Sequence, residues 1–580
     1  MTPIQHPAQR SSTPLRPSPR APGPTRARRP RRQIPAPHGS RRGLAALGAA
    51  LGLLAAACGD DVRADSPTEQ AIAALGGRQA LAEMSSLSFT ATGTASMPNQ
   101  ASGPGALHPA VHFVTGLSYL PVGRRFRIEN QRTINYPFET TLTFTQIIDG
   151  AAGWIAGTPG VPFLYPPGDV APDKAAAYAT FQALLNPHIL FRRVVDGELP
   201  ARDAGRAIRD GKPYGLITIG LDPLALTAFV DERTGDLARM TVTVHDTLLC
   251  DVELEITYGD WTTVAGGLRY PLTVAVGHPA GIIYQETRSG LAVSEALDGA
   301  RFALPPEATR LVDPPSAALG EKRILFHELM SLIGVPSALT QTTVHETQLA
   351  PGIFFLDATH NSLAVEQADH IVLIEAPLDR ERSAAIAAWA AQKFPQKPIT
   401  QVIATHHHFD HAGGLRHFVA AGATIVVHES TRAFFDDRVF GASCTVFPDE
   451  LAAHPRAADI KTVPALGSLR LDDPTNPVEV YAINSGHADD MVIAYLPNQR
   501  ALFNSDLYIP LPDELRRGGL VPYFTAKDFR DLAAGIQHHG LTPAVIVGGH
   551  GGVTSIDVFN ADLAALPDRE LVGSSPPRAR

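Results

Sequence analysis

The residues best suited to chemistry in this 580-residue chain form one short run near its middle. The run His406–His411 holds four histidines and one aspartate, and it follows the apolar stretch Val402–Ala404 through a single threonine. Imidazole and carboxylate groups bind zinc, iron or manganese. Because alternate side chains of a strand point the same way, His406 and His408 can bind one metal ion together.

The end of the run predicts a second metal ion. Asp410 and His411 lie beyond the expected strand end, where they can turn toward another cation. Gly413–Gly414 let the backbone bend tightly into a helix predicted over Leu415–Ala421. His407 is expected to point away from the site. A solvated histidine-rich loop is the alternative interpretation of the run.

Three further candidates follow apolar, strand-like segments later in the chain. His487 comes after Val478–Ile483, and Asp506 and His550 each end another apolar run. Any one of them alone is more often structural, and Asp506 could cap a turn. Their common position at strand ends favours a shared site.

The run His406–His411 matches the H-x-H-x-D-H signature of the metallo-β-lactamase-fold hydrolases, and the order of the later residues resembles that family as well. The resemblance implies an α/β fold, the αββα sandwich, over about residues 340–570. It also implies a ligand set for two metal ions. His406, His408 and His487 would bind metal 1, Asp410, His411 and His550 would bind metal 2, and Asp506 would bridge them.

The implied pair of ions, two Zn²⁺ or alternatively iron or manganese, predicts a hydrolase. Two cations lower the pKa of a shared water toward neutrality, so that a hydroxide can attack an electrophilic carbonyl. Asp410 is the predicted catalytic residue, because it could orient that hydroxide or pass its proton to the leaving group. Tyr508 could donate to an oxyanion, although an aromatic residue at a strand end is more often part of the core.

Differences from particular subgroups of the family narrow the range of expected substrates. Metallo-β-lactamases typically have Cys or Ser where Asp506 stands, and diiron electron-transfer relatives have Glu where His408 stands. A bridging aspartate resembles the thioester, lactone and phosphodiester hydrolases. We therefore expect hydrolysis of a small-molecule ester, thioester, lactone or related carbonyl bond. The alternatives are a β-lactamase, a mononuclear-iron persulfide dioxygenase and a non-enzymatic, lipid-binding carrier lipoprotein.

The N-terminus predicts export and lipid attachment. Residues 1–42 hold ten Arg and no acidic residue, and the apolar stretch after them has the length of a signal-peptide core. Leu54–Gly59 resembles a bacterial lipobox with Cys58 as the residue to be acylated; an ordinary buried cysteine is the alternative. Residues 1–57 are therefore predicted to be a leader and 58–65 a short tether. This predicts a protein anchored by lipid to a bacterial membrane, on its periplasmic or cell-surface face.

Charge argues against nucleic acid as a partner. The chain has 49 basic and 58 acidic side chains, and loss of the ten leader arginines would leave 39 basic ones and a formal charge of about −19. Phosphate backbones are bound by basic surfaces, so we expect a small-molecule substrate. The same charge disfavours docking on anionic lipid, so the lipid on Cys58 would make the membrane contact. The sequence also leaves open whether the protein forms a homodimer.

The remaining cysteines are expected to be reduced. Cys250 and Cys444 would be the only others in the mature chain, and they lie in different predicted domains. Two buried free thiols are therefore expected rather than a disulfide.

A separate, mostly antiparallel β domain is predicted over 66–305. A helical stretch from Ser66 to about Ser86, interrupted by Gly76–Gly77, precedes segments in which apolar and polar residues alternate. These segments resemble the half-barrel of LolA-type lipoprotein-carrier proteins, which implies a sheet that holds an acyl chain or substrate; a dimerisation or docking domain is the alternative. Paired prolines predict a linker over 306–339, and 571–580 is predicted to be a disordered tail. The alternating segments are 87–92, 125–128, 141–147, 216–219, 240–244 and 252–256.

Overall fold

A large antiparallel sheet precedes a two-sheet sandwich in this computed structural model. The predicted leader 1–57, tether 58–65 and tail 571–580 lie outside the described residues, as does most of the predicted linker 306–339. No helix in the described part of the chain has the length and apolar character needed to cross a membrane. The structure describes residues 66–108, 111–134, 140–150, 152–158, 168–170, 172–221, 224–308, 342–517 and 520–567.

The N-terminal half forms one 13-stranded antiparallel sheet. Its strands are β1 Leu87–Ala95, β2 Val111–Leu120, β3 Arg125–Ile134, β4 Thr140–Asp149, β5 Ala152–Gly157, β6 Gly168–Val170, β7 Ala201–Arg209, β8 Lys212–Leu221, β9 Leu224–Asp231, β10 Leu237–Asp246, β11 Cys250–Thr263, β12 Arg269–His278 and β13 Gly281–Val293. Consecutive strands are neighbours, with one exception: β6 and β7 lie at opposite edges of the sheet. At the centre, the first strand β1 pairs with the last strand β13. Every alternating segment named above lies within one of these strands, because period-two burial is a local property of a sheet with one buried face.

Helices pack on the apolar face of this sheet. They are α1 Pro67–Ala74, α2 Arg78–Glu83, α3 Pro172–Leu185 and α4 Pro187–Val195. The helical stretch expected from Ser66 to about Ser86 forms α1 and α2, interrupted at Gly76–Gly77 as expected, because these glycines have φ angles of 120° and 92°, which lie outside helical geometry. Neither α3 nor α4 was predicted. They are joined to the sheet by Arg288, which donates to the carbonyl of Leu185 at 2.9 Å.

Two further sheets form the C-terminal half. The first has the order β14 His345–Ala350, β15 Ile353–Asp357, β16 Ser362–Glu366, β17 Ile371–Ile374, β18 Ile399–Ile403, β19 Thr424–His428 and β20 Asp459–Val463. The second has the order β21 Ser468–Leu471, β22 Val478–Ala482, β23 Val492–Leu496, β24 Ala501–Phe503, β25 Val545–Val547 and β26 Val553–Ser555. Strands β17 to β20 run parallel to one another, as do β24 and β25.

The two sheets face each other and carry helices on their outer sides. Buried residues of both sheets, such as Val372 and Val480, form one core between them. The outer face of the second sheet is covered by Phe529 and Phe559 from two helices, and the first sheet is covered in the same way. This is the predicted αββα sandwich. Its helices are α5 Arg380–Lys393, α6 Phe409–Ala412, α7 Leu415–Ala421, α8 Glu450–Ala453, α9 Asp513–Arg517, α10 Ala526–His538 and α11 Ile556–Ala564.

A disulfide joins the two halves, so the expectation of two free thiols is wrong. Cys250 and Cys444 are bonded, with Cα atoms 4.9 Å apart, although 194 residues separate them in sequence. Next to the disulfide, Asp251 accepts hydrogen bonds from the backbone N–H groups of Thr445 and Val446 at 2.7 and 3.0 Å. The two cysteines lie in different domains, which is why free thiols were expected. Packing of the start of β11 against the loop after Phe440 brings them together.

Candidate metal centre

The predicted ligands lie after strand ends, in loops and in the short helix α6. The run His406–His411 spans the turn from β18 into α6, while His487, Asp506 and His550 follow β22, β24 and β25. These strands belong to both sheets, so the site lies where their ends meet. Gly413 has an ordinary helical φ of −61°, so its backbone does not need the freedom of a glycine. A side chain is excluded instead by lack of space, because a Cβ at Gly413 would overlap the carbonyl oxygen of Leu378.

The first cluster consists of His406, His408, His487 and Asp506. Each offers one ligand atom, and these four atoms all lie within 4.8 Å of one another. His487 Nε2 is 3.1 Å from Asp506 Oδ2, and His406 Nε2 is 3.9 Å from the same oxygen. All four residues are buried, so a cation here would be held by protein groups.

The second cluster consists of His360, Asp410, His411 and His550, again with ligand atoms within 4.8 Å of one another. Asp506 also borders this cluster, because its Oδ1 is 2.8 Å from His411 Nε2 and 3.3 Å from His550 Nε2. Its two oxygens therefore face different clusters. The structure thus brings all seven predicted ligands together and adds His360, which the sequence analysis missed.

Hydrogen bonds fix which ring nitrogen of each histidine faces the centre. His411 Nδ1 donates to Glu375 Oε2 at 2.8 Å, and His550 Nδ1 donates to a backbone carbonyl at 3.0 Å. His408 uses the opposite nitrogen, since its Nε2 donates to the carbonyl of Ala101 at 2.9 Å. A ring nitrogen that donates carries the proton, so the other nitrogen keeps a lone pair for a metal.

Two imidazole nitrogens show that these donors fit a metal ion. His406 Nε2 and His408 Nδ1 are buried and have no hydrogen-bond partner among the described residues. A buried polar atom without a partner costs about 1–3 kcal/mol. Both atoms belong to the first cluster, and zinc is bound by such imidazole nitrogens together with a carboxylate. The side chains present therefore fit a metal ion.

The charges of the clusters favour a cation. Burial, together with the neighbouring histidines, holds the pKa values of His406 and His408 well below their usual value, so these imidazoles are neutral. Burial opposes charge on Asp506 and His411 alike, yet their mutual attraction outweighs it. The pKa of Asp506 is held well below its usual value, and the pKa of His411 is held well above it with help from Glu375. The carboxylates around His411 therefore favour positive charge at this position.

Sequence reasoning missed three residues at this centre. His360 follows β15, and Glu375 directly follows β17, so both share the strand-end position that singled out the predicted ligands. That signal could have found them. Gln100 lies in the other half of the molecule, in the segment Ser96–His108 that follows β1, and no local pattern identifies it.

The segment Ser96–His108, which we call the inserted segment, brings the N-terminal half into the centre. Gln100 Nε2 donates to Asp410 Oδ1 at 2.5 Å. The carbonyl of Ala101 accepts the hydrogen bond from His408 described above. The next carbonyl, that of Ser102, accepts from the backbone N–H of Asp489 at 2.7 Å. Both clusters are therefore in contact with groups from the N-terminal sheet domain.

Two residues considered from the sequence lie outside the clusters. His407 Nδ1 is 2.7 Å from Asp490 Oδ1, and neither cluster includes it. The hydroxyl of Tyr508 donates to Asp562 Oδ2 at 2.7 Å, and its ring packs on Phe529 in the core beneath α10. Neither side chain is available to the metal centre.

Residues 357–550 match the family model of the metallo-β-lactamase superfamily. The chain thus carries a domain of that superfamily, which indicates a metal-dependent hydrolase, and its His/Asp clusters can hold metal ions. The matched range contains both clusters. The resemblance based on His406–His411 is confirmed for this domain, whereas the LolA-type resemblance of 66–305 stays a prediction.

The solved structures to which this chain is similar include metallo-β-lactamases. One from Pontibacter korlensis is 19% identical with a TM-score of 0.31, and the match covers 39% of this chain and 100% of that one. The mono-zinc form of FIM-1 from Pseudomonas aeruginosa is 19% identical with a TM-score of 0.29, covering 38% and 93%. One from Hirschia baltica is 18% identical with a TM-score of 0.28, covering 38% and 96%. Similarities this weak carry no information about the substrate.

Proposed function

We propose that this protein is a dinuclear zinc hydrolase that cleaves a small-molecule ester, thioester, lactone or related carbonyl bond. The position of Asp506 carries the proposal. Its Oδ2 lies 3.1 Å from His487 in the first cluster, and its Oδ1 lies 2.8 Å from His411 in the second. A carboxylate with one oxygen toward each cluster suits two cations that share it, with His406, His408 and His487 holding the first and Asp410, His411 and His550 the second.

When bound, two Zn²⁺ ions would act as Lewis acids and lower the pKa of a water toward neutrality. The chain's own residues position the reactants and handle the proton. Asp410 is the proposed proton acceptor, because its carboxylate belongs to the second cluster and is ionised: the charge of His411 outweighs burial and keeps the pKa of Asp410 well below its usual value. Gln100 Nε2 donates to Asp410 Oδ1 at 2.5 Å, which fixes the direction of the carboxylate.

The substrate class rests on charge and on Asp506. A mature chain with a formal charge of about −19 disfavours polyanionic substrates such as nucleic acids. An aspartate at the shared position resembles the thioester and lactone hydrolases rather than the β-lactamases. Bound cations would also stabilise the oxyanion that forms when a carbonyl is attacked.

The first test is the metal content of residues 59–580, purified without added metal and measured by elemental mass spectrometry. We expect about two zinc ions per chain, and fewer in Asp506→Ala and His408→Ala. His407→Ala is the matched control, since His407 lies in the same run but outside both clusters, and it should keep both ions. One iron per chain would favour a persulfide dioxygenase instead. No metal after metal-replete expression would contradict the catalytic proposal.

The second test is a substrate panel of esters, thioesters, lactones and β-lactams. We expect turnover of one of the first three classes by the wild-type chain. Asp410→Asn should lower the rate by roughly 10²–10⁴-fold, because proton transfer by a positioned carboxylate contributes about that much. Turnover of β-lactams alone would move the proposal to a β-lactamase. Bound lipid with full metal occupancy and no turnover would favour the carrier.

We also propose that the protein is exported and attached to a bacterial membrane through a lipid on Cys58. The disulfide supports export, since such bonds persist mainly in oxidising compartments. Labelling of cells with a fatty-acid analogue should mark the wild-type chain but not Cys58→Ser. Equal labelling of both chains would contradict the proposal.

A further inference from the structure

We propose that His360 is a fifth protein ligand of the second metal ion, beside Asp410, His411, His550 and the shared Asp506. The inference rests on the proposed dinuclear function and extends it. The ion is a divalent cation, and zinc is the first candidate. The ligand set predicted from the sequence gives this ion four protein donors, and His360 would be the additional one. The chain's own residues would then nearly complete the coordination of that ion.

The backbone around His360 is tied to the loop that carries His550. Asn361 is fully buried, and its side-chain amide donates to the carbonyls of Gly548 and Gly551 at 3.0 and 2.9 Å. Its backbone N–H donates to the carbonyl of Gly549 at 2.7 Å. These three bonds hold the loop after β15 against the loop after β25, so His360 is placed on the second cluster by a rigid attachment.

The ring of His360 lies at coordination distance from the other donors. His360 Nε2 is 3.1 Å from Asp410 Oδ2, and the ring centroid is 4.4 Å from that of His550 and 5.6 Å from that of His411. Two donors bound to one zinc ion at about 2.0–2.2 Å stand roughly 2.9–3.5 Å apart in octahedral or tetrahedral geometry. The Nε2 to Oδ2 distance falls in that range.

A hydrogen bond from His360 to Asp410 is the competing role, in which His360 only positions the carboxylate. The two roles differ in what a thiolate at position 360 would do. A ligand position would bring the thiolate sulfur onto the metal, whereas a positioning residue would leave it unbound. The test therefore looks for a signal that only direct coordination produces.

The experiment is a Co²⁺ titration of the metal-free mature chain, followed by absorption spectroscopy. Thiolate bound to Co²⁺ gives a near-ultraviolet charge-transfer band. We expect this band in His360→Cys as the second ion binds, and we expect no such band in the wild type or in His407→Cys. His407 is the matched control because it is also buried and lies outside both clusters. This readout needs no substrate and does not depend on activity.

Metal affinity gives the complementary measurement. His360→Ala should bind the second ion at least about 10-fold more weakly than the wild type and the first ion equally well. His407→Ala should bind both ions as the wild type does, and thermal melts of the metal-free variants check that each is folded. If the alanine variant does not fold, the cysteine variant decides the question by its band.

The outcomes separate this inference from the proposed function. Two ions in the wild type, one tightly bound ion in His360→Ala and the band in His360→Cys support the ligand role. Two ions of unchanged affinity in His360→Ala and no band in His360→Cys overturn it while leaving the dinuclear hydrolase intact. Fewer than two ions in the wild type overturn both.

Discussion

At the scale of single residues, Glu375 connects the metal ligands to the scaffold. It is fully buried, and its Oε2 accepts the hydrogen bond from His411 Nδ1. Its Oε1 accepts from the hydroxyls of Thr405 and Ser505 at 2.7 and 2.6 Å. Its φ of +66° is unusual for a residue with a side chain. A buried carboxylate behind a ligand histidine sets the tautomer and raises the basicity of that ligand.

We expect Glu375→Gln to weaken binding of the second metal ion by about 10–100-fold, because a neutral amide supports the His411 ligand less well. Chelator competition on the metal-loaded chain measures the effect. Glu366→Gln is the matched control, since Glu366 pairs with Lys397 at 2.7 Å and contacts neither cluster. Equal metal affinity in both variants would show that Glu375 does not support the ligand.

At the scale of elements, the inserted segment makes the N-terminal sheet domain part of the metal centre. It leaves β1 and carries the side chain of Gln100 and the carbonyl of Ala101 to Asp410 and His408, across sequence separations of 310 and 307 residues. A carbonyl that accepts from His408 Nε2 leaves Nδ1 to face the first cluster. The N-terminal sheet domain therefore orients ligands in both clusters.

We expect Gln100→Ala to lower metal affinity by up to about 10-fold, since Asp410 loses the donor on its Oδ1 and gains freedom to rotate. The same chelator competition measures it. Gln285→Ala serves as the control, because Gln285 lies on the same domain and bonds Thr94 on an exposed surface. A loss of affinity shared by both variants would point to general destabilisation instead.

At the scale of the whole molecule, the disulfide and the contacts of Asp251 join the two halves. Cys250 begins β11 of the N-terminal sheet, and Cys444 lies in the loop that follows residues 434–440 of the sandwich. A covalent link between distant points removes conformational freedom mainly from the unfolded chain. With a sequence separation of 194 between the cysteines, that effect is large.

We expect the double variant Cys250→Ser, Cys444→Ser to lose about 2–5 kcal/mol of unfolding free energy, measured by urea denaturation. Reductant should lower the wild type to the level of the variant and leave the variant unchanged. Identical midpoints for oxidised wild type and variant would show that the link contributes nothing to stability.

The sequence predicted much of the fold because its signals are local. The helix over Leu415–Ala421 is found at its predicted bounds. Thr525 caps α10 by accepting from the backbone N–H of Asp528 at 3.0 Å, and a threonine in this position is a local signal for the start of a helix. Helix α3 was missed because it is apolar on all sides and shows no helical stripe to recognise; its buried residues include Tyr178 and Leu184.

By itself, the sequence determined the kinds of ligand, their order and their places at strand ends, because strand periodicity and the run His406–His411 are read within a few residues. The tertiary structure decided that Asp506 faces both clusters, that His360 joins them, that Gln100 arrives from another domain and that two cysteines meet. Those contacts arise when sheets and loops that are far apart in the chain pack together. A local sequence pattern does not indicate which distant surfaces will pack against each other.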